Sequence, residues 1–207
     1  MKIDIFPLGN MSANFYTVTD ETTNELFVID PGDCKETVKE LIKKSGATLR
    51  YIILTHAHVD HIGAVDALKE MFNAPVVIHE NEAAALNDGY INLCSIFRYP
   101  SPVSKADISV KDGETLPFGN DNITFIHTPG HTVGSMCIKL GNVLFTGDTI
   151  FNLSIGRCDF PGGSFEEIEA SIKNKIYTLS GDTVIYPGHG ETSTVAYEKE
   201  NNPFVRG

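Results

Sequence analysis

The chain has 207 residues, 42% apolar and 21% charged, with a formal net charge of −11. Those values fit one globular domain, residues 1–207, that buries a core without covalent staples. They argue against nucleic acid as the main partner, since phosphate binding wants a basic face; Asp4 inside the first apolar stretch, and the lack of any long apolar run, leave no secretory signal or membrane span in view.

Residues 3–7, 15–19 and 26–30 read as strands, rich in β-branched and aromatic residues and set apart by Asn, Ser, Asp and Thr turns. Asp30-Pro31-Gly32-Asp33 stops the third strand. A helix is expected over about 35–45, with Val38, Leu41 and Ile42 on one face and Gly46 at its end. Residues 51–54 form a short buried strand that runs straight into a His-rich segment. Ile62, Val65, Leu68, Met71 and Phe72 predict a helix over 62–72. A strand over 76–78 and a helix over 80–86 follow, and then residues 87–105, with Pro100, Pro102 and several aromatics, read as a long loop near a site mouth.

From residue 107 the pattern is β again, with strands over 108–110, 115–118, 123–127, 135–139 and 143–145. Ile168, Ile172, Ile176 and Leu179 predict a helix over 165–179, a last strand covers 183–186, and a closing helix 195–201. Two sheets with helices outside each would bury both helical stripes, an α/β architecture. Cys34, Cys94, Cys137 and Cys158 form no C-x-x-C pair and read as free thiols of a reducing cytoplasm, so a cytoplasmic location is expected.

Chemistry concentrates in four short segments: Thr55-His56-Ala57-His58-Val59-Asp60-His61, Thr128-Pro129-Gly130-His131, Thr146-Gly147-Asp148 and Tyr186-Pro187-Gly188-His189. Imidazole and carboxylate suit borderline divalent metals such as zinc. His56 and His58, two apart on extended backbone, face one ion, while Asp60 and His61 lie beyond the turn and suit a second. His131 and His189 each follow a Pro-Gly turn, and Asp148 ends a strand with two oxygens able to span two cations. The assignment is His56, His58 and His131 on one metal, and Asp60, His61 and His189 on the other, with Asp148 bridging. Two divalent ions with Asp60, Asp148 and one hydroxide keep residual positive charge for a developing oxyanion. His79 and His127 are read as ordinary residues or as outer support for the ligands.

These segments, with Val28-Ile29-Asp30-Pro31-Gly32, resemble the metallo-β-lactamase superfamily over nearly the whole chain. The resemblance implies a four-layer αββα sandwich with the metals at one edge between the sheets, the same ligand split, and Asp30 as a support behind the metal loop. Gly156-Arg157-Cys158-Asp159-Phe160-Pro161 resembles small glyoxalase II-like hydrolases, although Ser or Thr is usual at Cys158. Larger members carry a C-terminal helical domain that grips glutathione and is not seen here, which leaves the thiol carrier open. The implied function is a metal-dependent thioester hydrolase, acting on a hydroxyacyl-thiol such as S-lactoylglutathione through a metal-bridging hydroxide, with two divalent ions, Zn foremost and Fe or Mn as alternatives. Asp60 and Asp148 are the catalytic candidates; Arg157 is a candidate for a substrate carboxylate or for an ion pair with an acid. Tyr90, Phe97 and Tyr99 are candidates for the mouth, a local aromatic cluster being the alternative. The expected partner is a small-molecule thioester, with no nucleic acid or membrane, for a monomer or homodimer. The rivals are a persulfide dioxygenase with one iron, a β-lactamase (disfavoured by Asp148), a nuclease (disfavoured by acidity), a flavodiiron reductase (disfavoured by Val59 and the lack of a flavodoxin domain) and a binding module with a vestigial site.

Overall fold

The computed structural model describes residues 1–33 and 35–207; Cys34 lies outside the described residues. The first half builds a six-stranded sheet in sequence order: β1 (Lys2–Leu8), β2 (Ala13–Asp20), β3 (Glu25–Ile29), β4 (Thr48–Ile53), β5 (Val76–His79) and β6 (Ile108–Val110). The first three strands pair antiparallel, and β3 to β6 pair parallel. Between them lie α1 (Lys35–Ser45), α2 (Val59–Ile62), α3 (Val65–Phe72) and α4 (Cys94–Phe97). The second half builds another six-stranded sheet from β7 (Thr115–Phe118), β8 (Asp121–His127), β9 (Met136–Leu140), β10 (Val143–Gly147), β13 (Val184–Pro187) and β14 (Ser193–Thr194), in the order β14-β13-β10-β9-β8-β7. β11 (Ile150–Phe151) and β12 (Ser154–Ile155) form a small hairpin, and α5 (Phe165–Ser171) and α6 (Val195–Asn201) complete the half.

Side-chain alternation explains the four layers. On β3, Leu26 and Val28 face one way into a core with Val38, Ile42, Val65 and Leu68 of α1 and α3. Phe27 and Ile29 face the other way, into a core shared with Phe118, Ile123, Phe125 and Phe145 of the second sheet. Because both faces are covered, these strands read as continuous apolar runs rather than as polar-apolar alternation. Phe27 and Phe118 meet edge-on at 4.7 Å and Tyr16 and Phe145 at 5.1 Å, which ties the sheets face to face. Outside the second sheet, Ile168, Ile172, Ile176 and Val195 pack on Leu144 and Ile185. Each such fully buried aliphatic contributes about 1.5–3 kcal/mol. This is the expected αββα sandwich.

Local departures have physical causes. The helix expected over 62–72 begins at Val59, breaks at Gly63-Ala64, and leaves Met71 41% exposed. The helix expected over 80–86 is instead a set of turns ending in a 3-10 turn at Ala85–Asn87, because Glu82 aims its carboxylate inward. The helix expected over 165–179 is α-helical only to Ser171 and then widens to π geometry over Ile172–Ile176, keeping Ile172 and Ile176 buried. The 87–105 segment is irregular but contains α4. Cys94, Cys137 and Cys158 are free thiols. Among the described residues no helix is long and apolar enough to cross a membrane.

Candidate metal centre

The ends of β4, β8, β10 and β13 deliver the four His/Asp segments to one edge of the sandwich. His58 is still extended (φ −69°, ψ 152°) just before α2, so His56 and His58 turn toward the same neighbour. His56 Nε2 lies 3.2 Å, and His58 Nδ1 2.9 Å, from His131 Nε2. α2 then swings Asp60 and His61 to a second group, where Asp60 Oδ2 is 3.2 Å from His189 Nε2 and 3.6 Å from His61 Nε2. Asp148 stands between the groups: Oδ1 is 3.5 Å from His61 Nε2, and Oδ2 is 3.5 Å from His131 Nε2 and 3.6 Å from His189 Nε2. The structure thus brings all seven predicted donors together, in two groups of three with a carboxylate between.

Outer partners set which nitrogen faces inward. His61 Nδ1 donates to Asp30 Oδ2 at 2.9 Å, His131 Nδ1 donates to the Arg157 carbonyl at 2.7 Å, and His56 Nδ1 donates to Thr55 Oγ1 at 3.1 Å. For His56 and His131 the bond leaves Nε2 as a lone pair aimed into the site, and His61 presents Nε2 in the same way once its second proton has left. Asp30 is also close enough to His56 and His61 to form a third donor group. Its oxygens are already taken by His61 Nδ1, the Thr55 hydroxyl at 2.7 Å and the Thr55 N–H at 2.8 Å, so it stands behind His61 as an orienting group. Asp30 holds this place with a left-handed backbone (φ 51°), uncommon for a residue other than glycine.

The donor chemistry fits divalent ions. His58 Nε2, His61 Nε2 and Asp148 Oδ1 are buried with no hydrogen-bond partner. The lone pairs on His56 Nε2 and His131 Nε2, 3.2 Å apart, repel unless a proton or a metal cation lies between them. Burial and the neighbouring imidazoles hold His56 and His58 well below the usual histidine pKa, and burial lowers His131 against the pull of Asp148. That group is neutral and ready to coordinate. The second group differs. Burial opposes charge on His61, but Asp60, Asp148 and Asp30 outweigh it and raise its pKa to about 10. Burial also opposes charge on Asp60, yet His61 and His189 hold its carboxyl below the usual range.

Glu82 is a residue that spacing did not reveal. Its carboxylate, 2% exposed, accepts the Ala57 N–H at 3.1 Å, the Thr132 hydroxyl at 2.9 Å and the Gly134 N–H at 2.9 Å. It therefore clamps the His56/His58 turn to the His131 turn. Its partners lie 25 and 50 or more residues away, so no local signal marks it. Gly188 is required by close approach, since a Cβ there would sit 2.1 Å from Asp148 Oδ1.

A cavity of about 260 Å³ opens beside the donors, walled by Met11, Leu93, Phe97, Phe151, Ile155 and Phe160. Phe97 is in the wall, Tyr99 lines a smaller neighbouring groove, and Tyr90 stands outside both, 65% exposed. Arg157 lines the cavity but forms a two-point ion pair with Asp159 (Nε–Oδ1 2.9 Å and a terminal nitrogen to Oδ2 2.7 Å) and stacks over Phe160 at 4.2 Å. Of the two roles expected for it, the ion pair is the one observed. His79 and His127 stack on each other at 3.9 Å as a separate pair.

Comparison with known proteins agrees with this architecture. The family model described as the metallo-beta-lactamase superfamily matches residues 8–189. The probable metallo-hydrolase YqgX of Bacillus subtilis is 35% identical, over 100% of this chain and 99% of its own length. The hydroxyacylglutathione hydrolase GloC of Haemophilus influenzae is 32% identical, over 99% and 98%. Among solved structures, the BLEG-1 B3 metallo-beta-lactamase superposes with a TM-score of 0.94 at 37% identity, covering 100% of both chains. TTHA1623 in a di-iron-bound form superposes with a TM-score of 0.85 at 32% identity, covering 98% of this chain and 100% of its own. ETHE1 from Myxococcus xanthus gives 0.82 at 30%, covering 98% and 84%. With its sandwich, its edge-on donor groups and these full-length likenesses, the chain belongs to the metallo-beta-lactamase superfamily.

Proposed function

We propose that the protein is a metal-dependent thioester hydrolase of the small glyoxalase II-like kind, acting on a hydroxyacyl-thiol such as S-lactoylglutathione. The observation that carries this reading is the pair of three-donor groups with Asp148 between them. His56, His58 and His131 would hold one divalent ion, Asp60, His61 and His189 a second, and Asp148 would touch both, with zinc favoured by the N/O donors. When bound, such a pair supplies an ionised water and a polarising contact for a carbonyl oxygen.

The chain's own residues do the rest. Asp30 and Thr55 fix His61 and His56, and Glu82 fixes the two turns around the first group. Asp60 lines the cavity, and its carboxylate can hold the proton of a water placed there. The apolar walls exclude bulk water and strengthen each polar contact at the donors. No strong acid is needed on the leaving side, because a thiol pKa of about 8.5 makes the thiolate a good leaving group. GloC, whose name specifies hydroxyacylglutathione, supports this reading across nearly the full chain.

Two alternatives compete with this reading, and the donor groups count against the first. A persulfide dioxygenase with one iron would leave one of the two groups without a role. β-Lactam hydrolysis is favoured by the likeness to BLEG-1, named as a B3 metallo-beta-lactamase. The test is metal content by mass spectrometry on protein purified without added metal, followed by assays on S-lactoylglutathione, a β-lactam, and a glutathione persulfide with oxygen uptake. Two ions per chain with thioester turnover is the expected result. One iron with oxygen uptake, or β-lactam turnover alone, would replace the proposal.

A further inference from the structure

We infer that this site, taken as a thioesterase on the reading above, selects thioesters whose thiol carrier is uncharged and apolar, and discriminates against anionic peptide carriers such as glutathione. The cavity beside the donors is walled by Met11, Leu93, Phe97, Phe151, Ile155 and Phe160. A glutathione arm brings two carboxylates and one ammonium, a net negative charge, and each carboxylate needs a cation or a cluster of N–H donors to offset its lost hydration. Among the described residues the one Lys or Arg in the lining is Arg157, and it is partly engaged, with two of its N–H groups on Asp159 and one face of its plane on Phe160. Asp60 and Asp148, the acidic side chains of the lining, belong to the donor groups and offer no cation to a carrier arm. Among the described residues, the groove that continues past Met11 toward Leu8 and Tyr99 is lined by no Lys or Arg. Arg98 follows Phe97 in the chain but is exposed and outside the lining. The net charge of −11 adds long-range repulsion for an anionic conjugate. An apolar arm, by contrast, gains at every wall contact, where one methylene is worth about tenfold or more in kcat/KM.

The test holds the acyl group fixed and changes only the carrier. Metal-loaded protein is assayed on S-lactoyl-N-acetylcysteamine, which is uncharged, and on S-lactoylglutathione. The expected kcat/KM favours the uncharged carrier by about tenfold or more, with the difference mainly in KM. Equal or faster hydrolysis of the glutathione conjugate overturns the inference and leaves the thioesterase reading standing. Hydrolysis of neither substrate removes both. Phe97→Arg supplies a second measurement: Phe97 is 43% exposed, so the change is tolerated by the fold while a free cation enters the wall. It should narrow the preference between carriers by about tenfold, whereas Phe97→Leu should preserve it. A ratio unmoved by Phe97→Arg would overturn the inference.

Discussion

Asp148 and Glu82 act on the site in different ways, and substitution separates them. Asp148 lies within 3.5 Å of both donor groups, so Asp148→Asn removes the charge that stands between them. Metal content should fall below two ions per chain and thioesterase activity by at least about 100-fold, beyond the range typical of outer partners. Full activity with two ions retained would remove Asp148 from between the metals. Glu82 lies outside the cavity beside the donors; it joins turns. Glu82→Ala strands buried donors at about 1–3 kcal/mol each and should weaken metal binding about 10- to 100-fold. Glu82→Gln should recover part of both losses, because it restores one acceptor oxygen. Equal affinity for metal in all three proteins would limit Glu82 to folding. The two histidine groups also differ in protonation. His61, raised to about 10, is charged at neutral pH in the metal-free protein, while His56, His58 and His131 are lowered and already neutral. Filling the second group therefore releases a proton, and its affinity rises with pH from about 7 toward 10 while that of the first stays flat. Calorimetry in buffers of different ionisation enthalpy reads the released proton; none released for either ion contradicts the assignment.

At the scale of elements, the site depends on how closely β10 and β13 approach at their ends. The Gly188 N–H donates to the Gly147 carbonyl at 2.7 Å, and the Gly188 carbonyl accepts from the Asn14 N–H at 2.7 Å. Gly188→Ala places a methyl against Asp148 Oδ1, so it should displace the carboxylate. The expected result is a fold loss in metal affinity that exceeds the stability loss of about 1–3 kcal/mol measured by urea unfolding. A purely global destabilisation with intact metal affinity would contradict it. The same contrast between local and distant causes explains which elements the sequence made readable. Strands such as β3 and β4 were legible because short apolar runs between turn residues need no knowledge of what covers them. The His and Asp donors were legible because H-x-H-x-D-H packs ligands too densely for one ion. The 80–86 segment was not, since its fate is set by Glu82 bonding to Ala57, Thr132 and Gly134, contacts absent from any local window. The π widening after Ser171 was equally hidden, because a stripe of isoleucines looks the same at either winding.

For the whole molecule, the donor groups are a joint between its two halves. His56, His58, Asp60 and His61 come from the first sheet's side, and His131, Asp148 and His189 from the second. The Met136 N–H donates to the Thr55 carbonyl at 3.0 Å and the Asn14 N–H to Gly188, so backbone bonds already cross at this edge. Without cations, the same edge presses inward lone pairs and buried unpartnered atoms together. Divalent ions bind the folded arrangement and not the separated segments, so they stabilise the sandwich by mass action. At a free metal concentration of 100 times the dissociation constant, one ion contributes about 2.7 kcal/mol. For a domain of this length each kcal/mol moves Tm by about 2–4 °C, so chelation should lower Tm by about 5–11 °C per ion removed. Restoring zinc should recover it, and Asp148→Asn should show a smaller response than the parent protein because it begins with weaker sites. A Tm unmoved by chelation, with mass spectrometry proving that the ions had left, would mean that the halves are joined by their apolar core alone and that the donors converge without needing a cation.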